Sequence, residues 1–457
     1  MKKLTLWHSN DIHSHFENWP QIIAFLQAKR EQADSSGEAA LFFDIGDFLD
    51  RVHPLTEGTN GKANVAMLNE LPYDAVTIGN NEGTTLAHEQ VEELYEDAIF
   101  PVVCCNLYED LDYQIRPDWA APFVYKKIDD HKVAILGATA PFREFYETLG
   151  WGIEEPIPAI QKVLAMLDKD TDTIILLSHL GLQADERIAE VLPEIDIIIG
   201  SHTHHLLETG KMVGNTLLAA AGKWGQYVGE ITITFHDDKT IAAKTAITYP
   251  TTSLPDVAGK EAMIAQYFEE GKAELSAEVV HLPEALYHDW YQTSKIADIM
   301  AEAVIEWTGA ETFLNNAGIF MKDWQPGTIT EFDIHQMLPH PLNAIVVTMT
   351  GEELAVLIQS IAEKEAELVQ LPLRGFGFRG EFFGKILMPG ASFDAENQVA
   401  VFNGEWIDAQ KEYRIATHDT FVFAPFFPII KRVSKKEVYT PELLRDILKW
   451  KLKAIYG

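Results

Sequence analysis

The chain has 457 residues, 47% of them apolar, and this length exceeds what one hydrophobic core usually organises, so two domains are expected. With 36 Lys and Arg against 69 Asp and Glu, the formal net charge is −33, which repels phosphate backbones and disfavours nucleic-acid binding. The two cysteines, Cys104 and Cys105, are adjacent, which excludes a disulfide framework and fits a reducing compartment.

The amino terminus is basic, but polar residues follow Met1-Lys2-Lys3-Leu4 within a few positions, so no signal peptide is expected. No later stretch approaches the roughly 20 apolar residues of a membrane span. The sequence therefore predicts a cytoplasmic protein with no membrane partner.

Residues 1–250 alternate short β-branched runs with amphipathic helical segments. The runs that predict strands are 3–9, 40–44, 74–78, 101–105, 132–137, 173–178, 195–199, 216–220, 227–235 and 243–249. The segments that predict helices are 20–31, 62–70, 85–97, 156–168 and 183–191. Several strands are apolar throughout, so we expect an α/β domain with helices outside stacked sheets. The last two strands alternate and predict an antiparallel half, which we expect to face the parallel half as a second sheet.

The pattern changes after residue 250. Residues 251–285 predict a linker, because Thr251-Thr252-Ser253-Leu254-Pro255 breaks the alternation and a charged helix follows. Residues 286–457 predict a second domain, which begins with a helical apolar stripe and includes strands at 344–349 and 399–402.

Five polar motifs in the first domain each follow an apolar strand. They are Asp11-Ile12-His13, Gly46-Asp47, Gly79-Asn80-Asn81-Glu82, Ser178-His179 and Gly200-Ser201-His202-Thr203-His204. Loops at the carboxyl ends of strands in an α/β sheet converge on one crevice, so these motifs are expected to meet. Each residue alone is more often a turn residue, or a surface or capping histidine, than a metal ligand, and only the joint pattern indicates a site.

The donor atoms of these motifs predict a site for two divalent metal ions. Residues i and i+2 leave the same face of an extended chain, so Asp11 with His13, and His202 with His204, can each reach one ion. The remaining candidate ligands are Asp47, whose carboxylate can bridge two ions, and Asn80 and His179. Such mixed ligands suit Mn, Zn, Fe, Co or Ni, and metal-assisted phosphoester hydrolysis is the expected chemistry.

In order and spacing these motifs resemble the pattern of calcineurin-like metallophosphoesterases, D-x-H … G-D … G-N-H-E … H … G-H-x-H. Four stretches of the second domain resemble the C-terminal domain of 5′-nucleotidases. They are Asn315-Asn316-Ala317-Gly318-Ile319, Pro341-Leu342-Asn343, Thr350-Gly351-Glu352-Glu353-Leu354 and Tyr413-Arg414-Ile415-Ala416-Thr417. The resemblance implies a four-layer α-β-β-α metallophosphatase domain followed by an α+β substrate-binding domain.

Carried over residue by residue, the resemblance implies two metal sites that share one carboxylate. The first would be Asp11, His13, Asp47 and His204, and the second Asp47, Asn80, His179 and His202. It also implies attack of a metal-bridging hydroxide on a nucleotide or a related small phosphate. In some members of the family a helix acts as a hinge between the domains, and 255–277 is the candidate here.

Two positions of the first domain depart from the family pattern. The His of G-N-H-E, which stabilises phosphate and assists the leaving group, is Asn81, and the Asp that orients that His falls at Thr84. Asn81 and Asp47 are therefore the candidate catalytic residues, but Asn cannot donate a proton near neutral pH.

Three interpretations follow from Asn81. The chain is a weak phosphatase, or it acts on leaving groups that need little protonation, such as phosphoanhydrides or cyclic phosphates, or another acid among His15, His53 and His88 replaces the missing one. We favour the second interpretation as a hypothesis. A competing function is a metal-binding and nucleotide-binding or regulatory protein that has lost turnover.

The second domain also departs from the family, because neither the Gly-Gly-x-Arg turn nor the Gly-Gly-Asp-Gly turn is present. Instead, a glycine-rich loop offers arginines that can pair with phosphate and aromatic rings that can stack on a base. The candidate substrate-binding residues are Arg374, Phe376, Phe378, Arg379 and Phe421. The alternative is a hairpin turn with core phenylalanines and solvated arginines.

Overall fold

The structure, a computed structural model, describes residues 3–372, 375 and 377–457. The chain divides into two compact units, Met1–Gly271 and Lys272–Gly457, and the division falls within a helix. Within the described ranges, no helix has the length and apolar content that a membrane span requires.

Unit 1 contains fifteen strands among its described residues. They are β1 (Lys3–Ser9), β2 (Ala39–Asp44), β3 (Ala75–Val76), β4 (Val102–Val103), β5 (Leu107–Tyr108), β6 (Ala120–Ala121), β7 (Phe123–Ile128), β8 (His131–Thr139), β9 (Gly152–Ile153), β10 (Thr173–His179), β11 (Ile197–Gly200), β12 (Lys211–Val213), β13 (Thr216–Ala219), β14 (Tyr227–Phe235) and β15 (Ile241–Pro250). The helices of this part of the chain are α1 (Trp19–Ser36), α2 (Pro54–Gly58), α3 (Lys62–Leu68), α4 (Asn80–Thr84), α5 (His88–Leu94), α6 (Arg143–Thr148), α7 (Pro156–Met166) and α8 (Leu182–Val191), followed by a short 3₁₀ helix (Thr251–Ser253) and by α9 (Lys260–Glu274), in which the division of units lies.

Two mixed sheets form the centre of unit 1. One has the strand order β15-β14-β1-β2-β3-β4-β6, and the other has the order β12-β13-β11-β10-β8-β7. In each sheet the central strands are parallel, and antiparallel strands lie at an edge. The expectation of one parallel sheet facing one antiparallel sheet was therefore wrong. The alternation of β14 and β15 correctly indicated an antiparallel pair, but that pair extends the first sheet beside β1.

The two sheets face each other across a common core. Leu6 and Phe43 of the first sheet share one buried cluster with Ile135, Leu177 and Ile199 of the second. The outer face of the first sheet packs against α1, α3 and α5, and the outer face of the second packs against α7 and α8. This arrangement is the expected four-layer α-β-β-α architecture, and it directs the carboxyl ends of the parallel strands towards the loops that carry the motifs.

Unit 2 is a smaller α+β unit. Its strands are β16 (Glu278–Leu282), β17 (Thr312–Phe313), β18 (Asn315–Asn316), β19 (Gly327–Thr330), β20 (Asn343–Thr350), β21 (Ile386–Leu387), β22 (Ala391–Asp394), β23 (Val399–Phe402), β24 (Glu405–Trp406), β25 (Glu412–His418) and β26 (Lys436–Leu443). Its helices are α10 (Lys295–Thr308), a 3₁₀ helix (Ala317–Ile319), α11 (Glu331–Met337), α12 (Gly351–Leu368), α13 (Asp419–Phe423), α14 (Pro428–Arg432) and α15 (Leu444–Tyr456).

The main sheet of unit 2 has the order β17-β25-β20-β26, and α10 and α15 pack together over its core. Local sequence explains where its long helices begin. Ser294 accepts a hydrogen bond from the amide of Ala297 at the start of α10, and Thr350 and Glu353 cap α12 reciprocally. The domain boundaries predicted at 250 and 286 stay predictions.

Candidate metal centre

The motif residues of unit 1 lie at or just beyond strand ends. Asp11 follows β1, Asp47 follows β2, Asn80 begins α4 after β3, His179 ends β10, and the loop with His202 follows β11. Backbone hydrogen bonds tie the first two loops together, because the amide of Asp11 donates to Gly46 (3.1 Å) and that of His13 donates to Asp47 (2.8 Å). Backbone hydrogen bonds alone therefore hold the loop after β1 against the loop after β2.

Five of the seven candidate ligands have a left-handed backbone, with φ of 50° at Asp11, 51° at His13, 49° at Asp47, 71° at His202 and 58° at His204. This conformation costs a residue other than glycine about 1–2 kcal/mol. Such residues cluster at functional sites, where the surrounding structure imposes the conformation. The strain is therefore concentrated on the residues whose side chains converge.

The first group of side chains consists of Asp11, His13 and His204, whose donor atoms all lie within 4.8 Å of one another. The Nε2 atoms of His13 and His204 are 3.0 Å apart, and Oδ1 of Asp11 lies 3.7 Å and 3.5 Å from them. The second group consists of Asp47, His179 and His202 and meets the same limit.

Asp47 connects the two groups through a single atom. Its Oδ2 lies 3.6 Å from Nε2 of His13 in the first group and 3.3 Å from Nε2 of His179 in the second. Its Oδ1 accepts a hydrogen bond from the amide of Asn81 at 2.8 Å. One carboxylate oxygen thus faces both groups while the other is held by the backbone.

Two buried atoms of this site present lone pairs that a divalent ion would satisfy. Nδ1 of His179 donates to the carbonyl of Ile45 at 2.7 Å, so Nε2 carries the lone pair of the neutral ring and faces the carboxylate of Asp47. Oδ1 of Asn80 is buried and has no hydrogen-bond partner among the residues that the structure describes. Imidazole, carboxylate and amide oxygen are ligands that first-row divalent ions accept, so the residues fit such a group.

Electrostatics distinguish the histidines. Burial lowers the pKa of His202 and His204 to about 4, which keeps their rings neutral. Burial also opposes charge on His13 and His179, but hydrogen bonds to Asp11 and Asp50 raise the pKa of His13 to about 10, and Asp47 raises that of His179 to about 9. Without a metal ion, His13 and His179 therefore favour their protonated forms beside the carboxylates, and a divalent ion would displace the proton on Nε2 of each ring.

Glu82 and Gly79 explain why the loops can approach so closely. The carboxylate of Glu82 accepts from the amides of Asp47 (3.0 Å), Leu49 (2.9 Å) and Gly79 (2.8 Å). A Cβ at Gly79 would lie 2.0 Å from Oδ1 of Asp47, so only glycine fits there. The Gly and Glu of this motif therefore hold Asp47 in place.

Asn81 is buried, and its amide is occupied by neighbours. Its Nδ2 donates to the carbonyl of Leu49 at 3.0 Å, and its Oδ1 accepts from Nδ2 of Asn80 at 3.2 Å. The hydroxyl of Thr84, at the position of the family's orienting Asp, donates to the carbonyl of Asn80 at 2.7 Å within the same helix. Neither residue supplies an acid.

The three histidines proposed as replacement acids have other contacts. His15 stacks on Trp224 with ring centroids 4.5 Å apart, and His53 caps α2 by accepting from Leu55 at 3.2 Å. His88 stacks on the buried Trp151 at 3.7 Å, and its Nε2 lies 2.7 Å from Glu109. None of these contacts involves a candidate metal ligand, and the replacement acid stays a hypothesis.

Sequence reasoning missed the residues that support the ligands. Asn10 and Ser201 donate to Oδ2 of Asp11, at 2.7 Å and 2.5 Å. Asp50 lies 3.3 Å from Nδ1 of His13 and is buried. Asn10 and Ser201 adjoin motif residues and could have been found by position, whereas no spacing rule connects Asp50 with His13.

The substrate-binding candidates of unit 2 do not form an evident site among the residues described. Arg374 and Phe376 lie outside the described residues. Phe378 is buried and stacks on His340 with centroids 5.0 Å apart, and Arg379 donates from its backbone to the same ring at 2.9 Å. Phe421 is buried against Phe383 and Phe427. The positions of Phe378 and Phe421 are typical of core residues, and the role of all five candidates in substrate binding stays a prediction.

Family models match both parts of the chain. Residues 4–206 match the model described as calcineurin-like phosphoesterase, and residues 276–424 match the model described as 5′-nucleotidase, C-terminal domain. A relative from Bacillus subtilis (strain 168), the uncharacterized metallophosphoesterase YunD, is 39% identical over 465 residues, which cover 99% of each chain.

Solved structures share the fold over nearly the whole length. A putative 5′-nucleotidase from Staphylococcus aureus has a TM-score of 0.69 at 16% identity and covers 98% of this chain and 96% of its own. The NAD nucleotidase of Haemophilus influenzae has a TM-score of 0.66 at 18% identity and covers 99% of this chain and 96% of its own. At such identities these similarities concern the fold alone.

Proposed function

The chain belongs to the calcineurin-like metallophosphoesterases that carry a C-terminal 5′-nucleotidase domain, and from this membership we propose that it hydrolyses nucleotides or related small phosphates at a centre of two divalent metal ions. Metal-dependent hydrolysis of phosphoesters is the activity of the family. We propose three further points: the number of ions, the residues that bind them and the class of substrate.

One observation carries the two-metal proposal. Oδ2 of Asp47 lies within 3.6 Å of Nε2 of His13 and within 3.3 Å of Nε2 of His179, so one oxygen faces both groups of imidazoles. The proposed first site is Asp11, His13, Asp47 and His204, and the proposed second site is Asp47, Asn80, His179 and His202. A shared carboxylate is the arrangement that two-metal hydrolases use.

Bound divalent ions would activate a water molecule as the nucleophile and neutralise charge on the phosphoryl oxygens. The chain's own residues prepare the site for them. Neutral His202 and His204 keep lone pairs available, Glu82 fixes the loop of Asp47, and Asn81 occupies the position where the family places its acid.

Asn81 supports the narrower proposal that the leaving group departs with little protonation. An amide cannot donate a proton near neutral pH, and general acid catalysis contributes about 10²–10⁴-fold. A phosphoanhydride needs this help less than a nucleoside monophosphate does, because it expels a phosphate oxygen and not an alkoxide, and in a strained cyclic phosphate the opening of the ring favours departure of the alkoxide. We therefore propose phosphoanhydrides and cyclic phosphates as the preferred class.

The test is a phosphate-release screen with Mn²⁺ over nucleotides, cyclic nucleotides, sugar-nucleotides and dinucleotides. Loss of a hydrogen-bonded support behind a metal ligand costs about 10–100-fold, so loss of a proposed ligand itself, in Asp47→Ala or His202→Ala, is expected to lower kcat/KM by more than about 100-fold. His205→Ala is the matched control, because His205 is exposed in the same loop and contacts Thr203 instead. Equal activity of Asp47→Ala and the wild type would exclude the proposed centre.

The competing proposal is a binding or regulatory protein, and the absence of an acid at Asn81 is the observation that favours it. Such a protein would bind metal and nucleotide and release no phosphate from any member of the screen. The candidate metal ligands are retained in both groups of side chains, and this favours an enzyme over a binding protein. A protein without turnover has little need for two metal sites.

A further inference from the structure

The ring of His13 faces two different environments. Its Nε2 faces His204 at 3.0 Å, within the first ligand group. Its Nδ1 faces away from that group, towards Oδ2 of Asp50 at 3.3 Å and Nδ2 of Asn81 at 3.1 Å. If Nε2 binds a metal ion, the neutral ring carries its hydrogen on Nδ1, and that hydrogen requires an acceptor.

Asn81 cannot be that acceptor in its observed orientation. The carbonyl of Leu49 accepts from Nδ2 of Asn81, and the amide of Asn80 donates to Oδ1 of Asn81. Reversing the amide of Asn81 would place its oxygen against the carbonyl oxygen of Leu49. Nδ2, a donor, therefore stays next to His13, and once Nδ1 carries its hydrogen these two N–H groups cannot bond to each other, so the carboxylate of Asp50 is the acceptor that the contacts leave.

We propose that Asp50 is a positioning residue for His13, whose carboxylate accepts the Nδ1 hydrogen and thereby fixes the tautomer and the orientation of the ring towards the metal. The inference rests on the proposed metal centre. Carboxylate–histidine–metal arrangements of this kind raise the basicity of the ligand, and loss of the carboxylate typically weakens metal binding about 10–100-fold.

Asp50 is itself held in a way that suits this role. Its side chain is 1% exposed, its backbone amide donates to Oγ of Ser14 at 2.8 Å, and its Oδ1 accepts from the amide of Val52 at 3.1 Å. Ser14 follows His13 directly in the chain. The backbone of Asp50 is therefore joined to the loop after Asp11, and one oxygen of its carboxylate is held within its own loop.

Asp50→Asn is the informative variant, because the amide keeps the shape and the acceptor for Val52 but loses the charge that faces His13. The metal-free protein is titrated with Mn²⁺ and, separately, with Zn²⁺ by calorimetry. We expect the Kd of one of the two sites to rise about 10–100-fold, while the metal-free variant stays folded at the temperature of the titration but has a lower thermal midpoint than the wild type, because buried His13 loses a charged partner. Asp74→Asn is the matched control, because Asp74 is a buried carboxylate that pairs with Arg30 and Lys126.

The outcomes separate this inference from the proposed function. A wild type that binds two ions, together with an Asp50→Asn variant of unchanged affinity, overturns the role of Asp50 and leaves the centre standing. Equal weakening by Asp74→Asn also overturns it, because the effect is then not specific to His13. A wild type that binds no ion overturns both.

Asp50→Glu keeps the carboxylate and provides a second test if Asp50→Asn folds poorly. We expect it to retain the affinity of both sites within about 10-fold. Loss of affinity by more than 100-fold in a folded Asp50→Glu protein would contradict the positioning role, because the charge is then not what His13 requires.

Discussion

The two carboxylate oxygens of Asp47 make different contacts. Oδ1 is fixed by the amide of Asn81 at 2.8 Å, and Oδ2 is directed between His13 and His179. The residue also has a left-handed backbone, with φ of 49°, and its loop is held by Glu82. The stability that this conformation costs is offset by the surrounding hydrogen bonds, which is how strained residues persist at functional sites.

Asn81 stands where the family pattern has a histidine, and its side chain is buried and hydrogen-bonded to Leu49 and Asn80. The amide orients its neighbour, because accepting from Nδ2 of Asn80 directs Oδ1 of Asn80 elsewhere, and that oxygen is the buried atom without a partner in the described chain. Asn81 therefore orients the side chain of Asn80, in addition to any contact with substrate.

The choice of leaving group tests what Asn81 permits. We expect kcat/KM of the wild type for a nucleoside diphosphate or a sugar-nucleotide to exceed that for AMP by about 100-fold. The alkoxide that leaves AMP depends on a general acid, whereas the phosphate group that leaves an anhydride does not. Asn81→His is expected to raise the AMP value about 10-fold or more and to change the anhydride value little. Thr84→Asp alone is the control. Comparable wild-type values for AMP and the anhydrides would contradict the account.

At the scale of elements, apolar runs predicted most strands of unit 1, including β10, and also β20 of unit 2, close to their observed bounds. Periodicity reports which face of a strand is buried but not which strand lies beside it, so the pairing of β14 with β1 could not be predicted. The edge strand β7 was missed because it has no clear apolar face. Five of its six residues are partly buried, so burial does not alternate along the strand.

In the candidate site, too, some residues could be predicted from the sequence and others could not. The motif residues could be found because each follows a strand, and loops at that end of a sheet converge. The contact of Asp50 with His13 depends on how two loops are placed side by side, and a single sequence carries no rule for that placement. Phe378 and Phe421 show the converse, because a buried aromatic and a base-stacking aromatic have the same sequence signature.

The end of β25 carries a buried histidine that makes unit 2 sensitive to acid. His418 is buried beside Phe421 at 5.0 Å, and neither ring nitrogen has a hydrogen-bond partner among the described residues. Burial lowers the pKa of His418 to about 3. The unfolded chain therefore binds the proton first, and the stability of the neutral ring is present above pH 6.5 and is lost as pH falls towards 3.

We expect the free energy of unfolding to fall more steeply with acidification in the wild type than in His418→Asn, by about 1.4 kcal/mol per pH unit between pH 6 and pH 4. Urea unfolding at a series of pH values measures this difference. His281→Asn, in an exposed position of β16, serves as the control. Parallel pH profiles of the wild type and His418→Asn would contradict the expectation.

For the molecule as a whole, a net charge of −33 makes the surface unfavourable to phosphate. The candidate centre adds to this problem, because Asp11 and Asp47 are buried there and their pKa values are lowered by the imidazoles around them, although burial opposes this. An anionic substrate therefore requires the positive charge of bound ions. Metal removal is expected to abolish nucleotide binding as well as turnover.

The most direct test of the central claim is a titration of the metal-free protein with Mn²⁺ in which bound metal and phosphate release are measured in the same sample. A centre in which Asp47 joins two sites predicts about two ions bound per chain, with activity appearing as the second ion binds. Full activity at one ion per chain, or phosphate release that persists in the presence of EDTA, would contradict it.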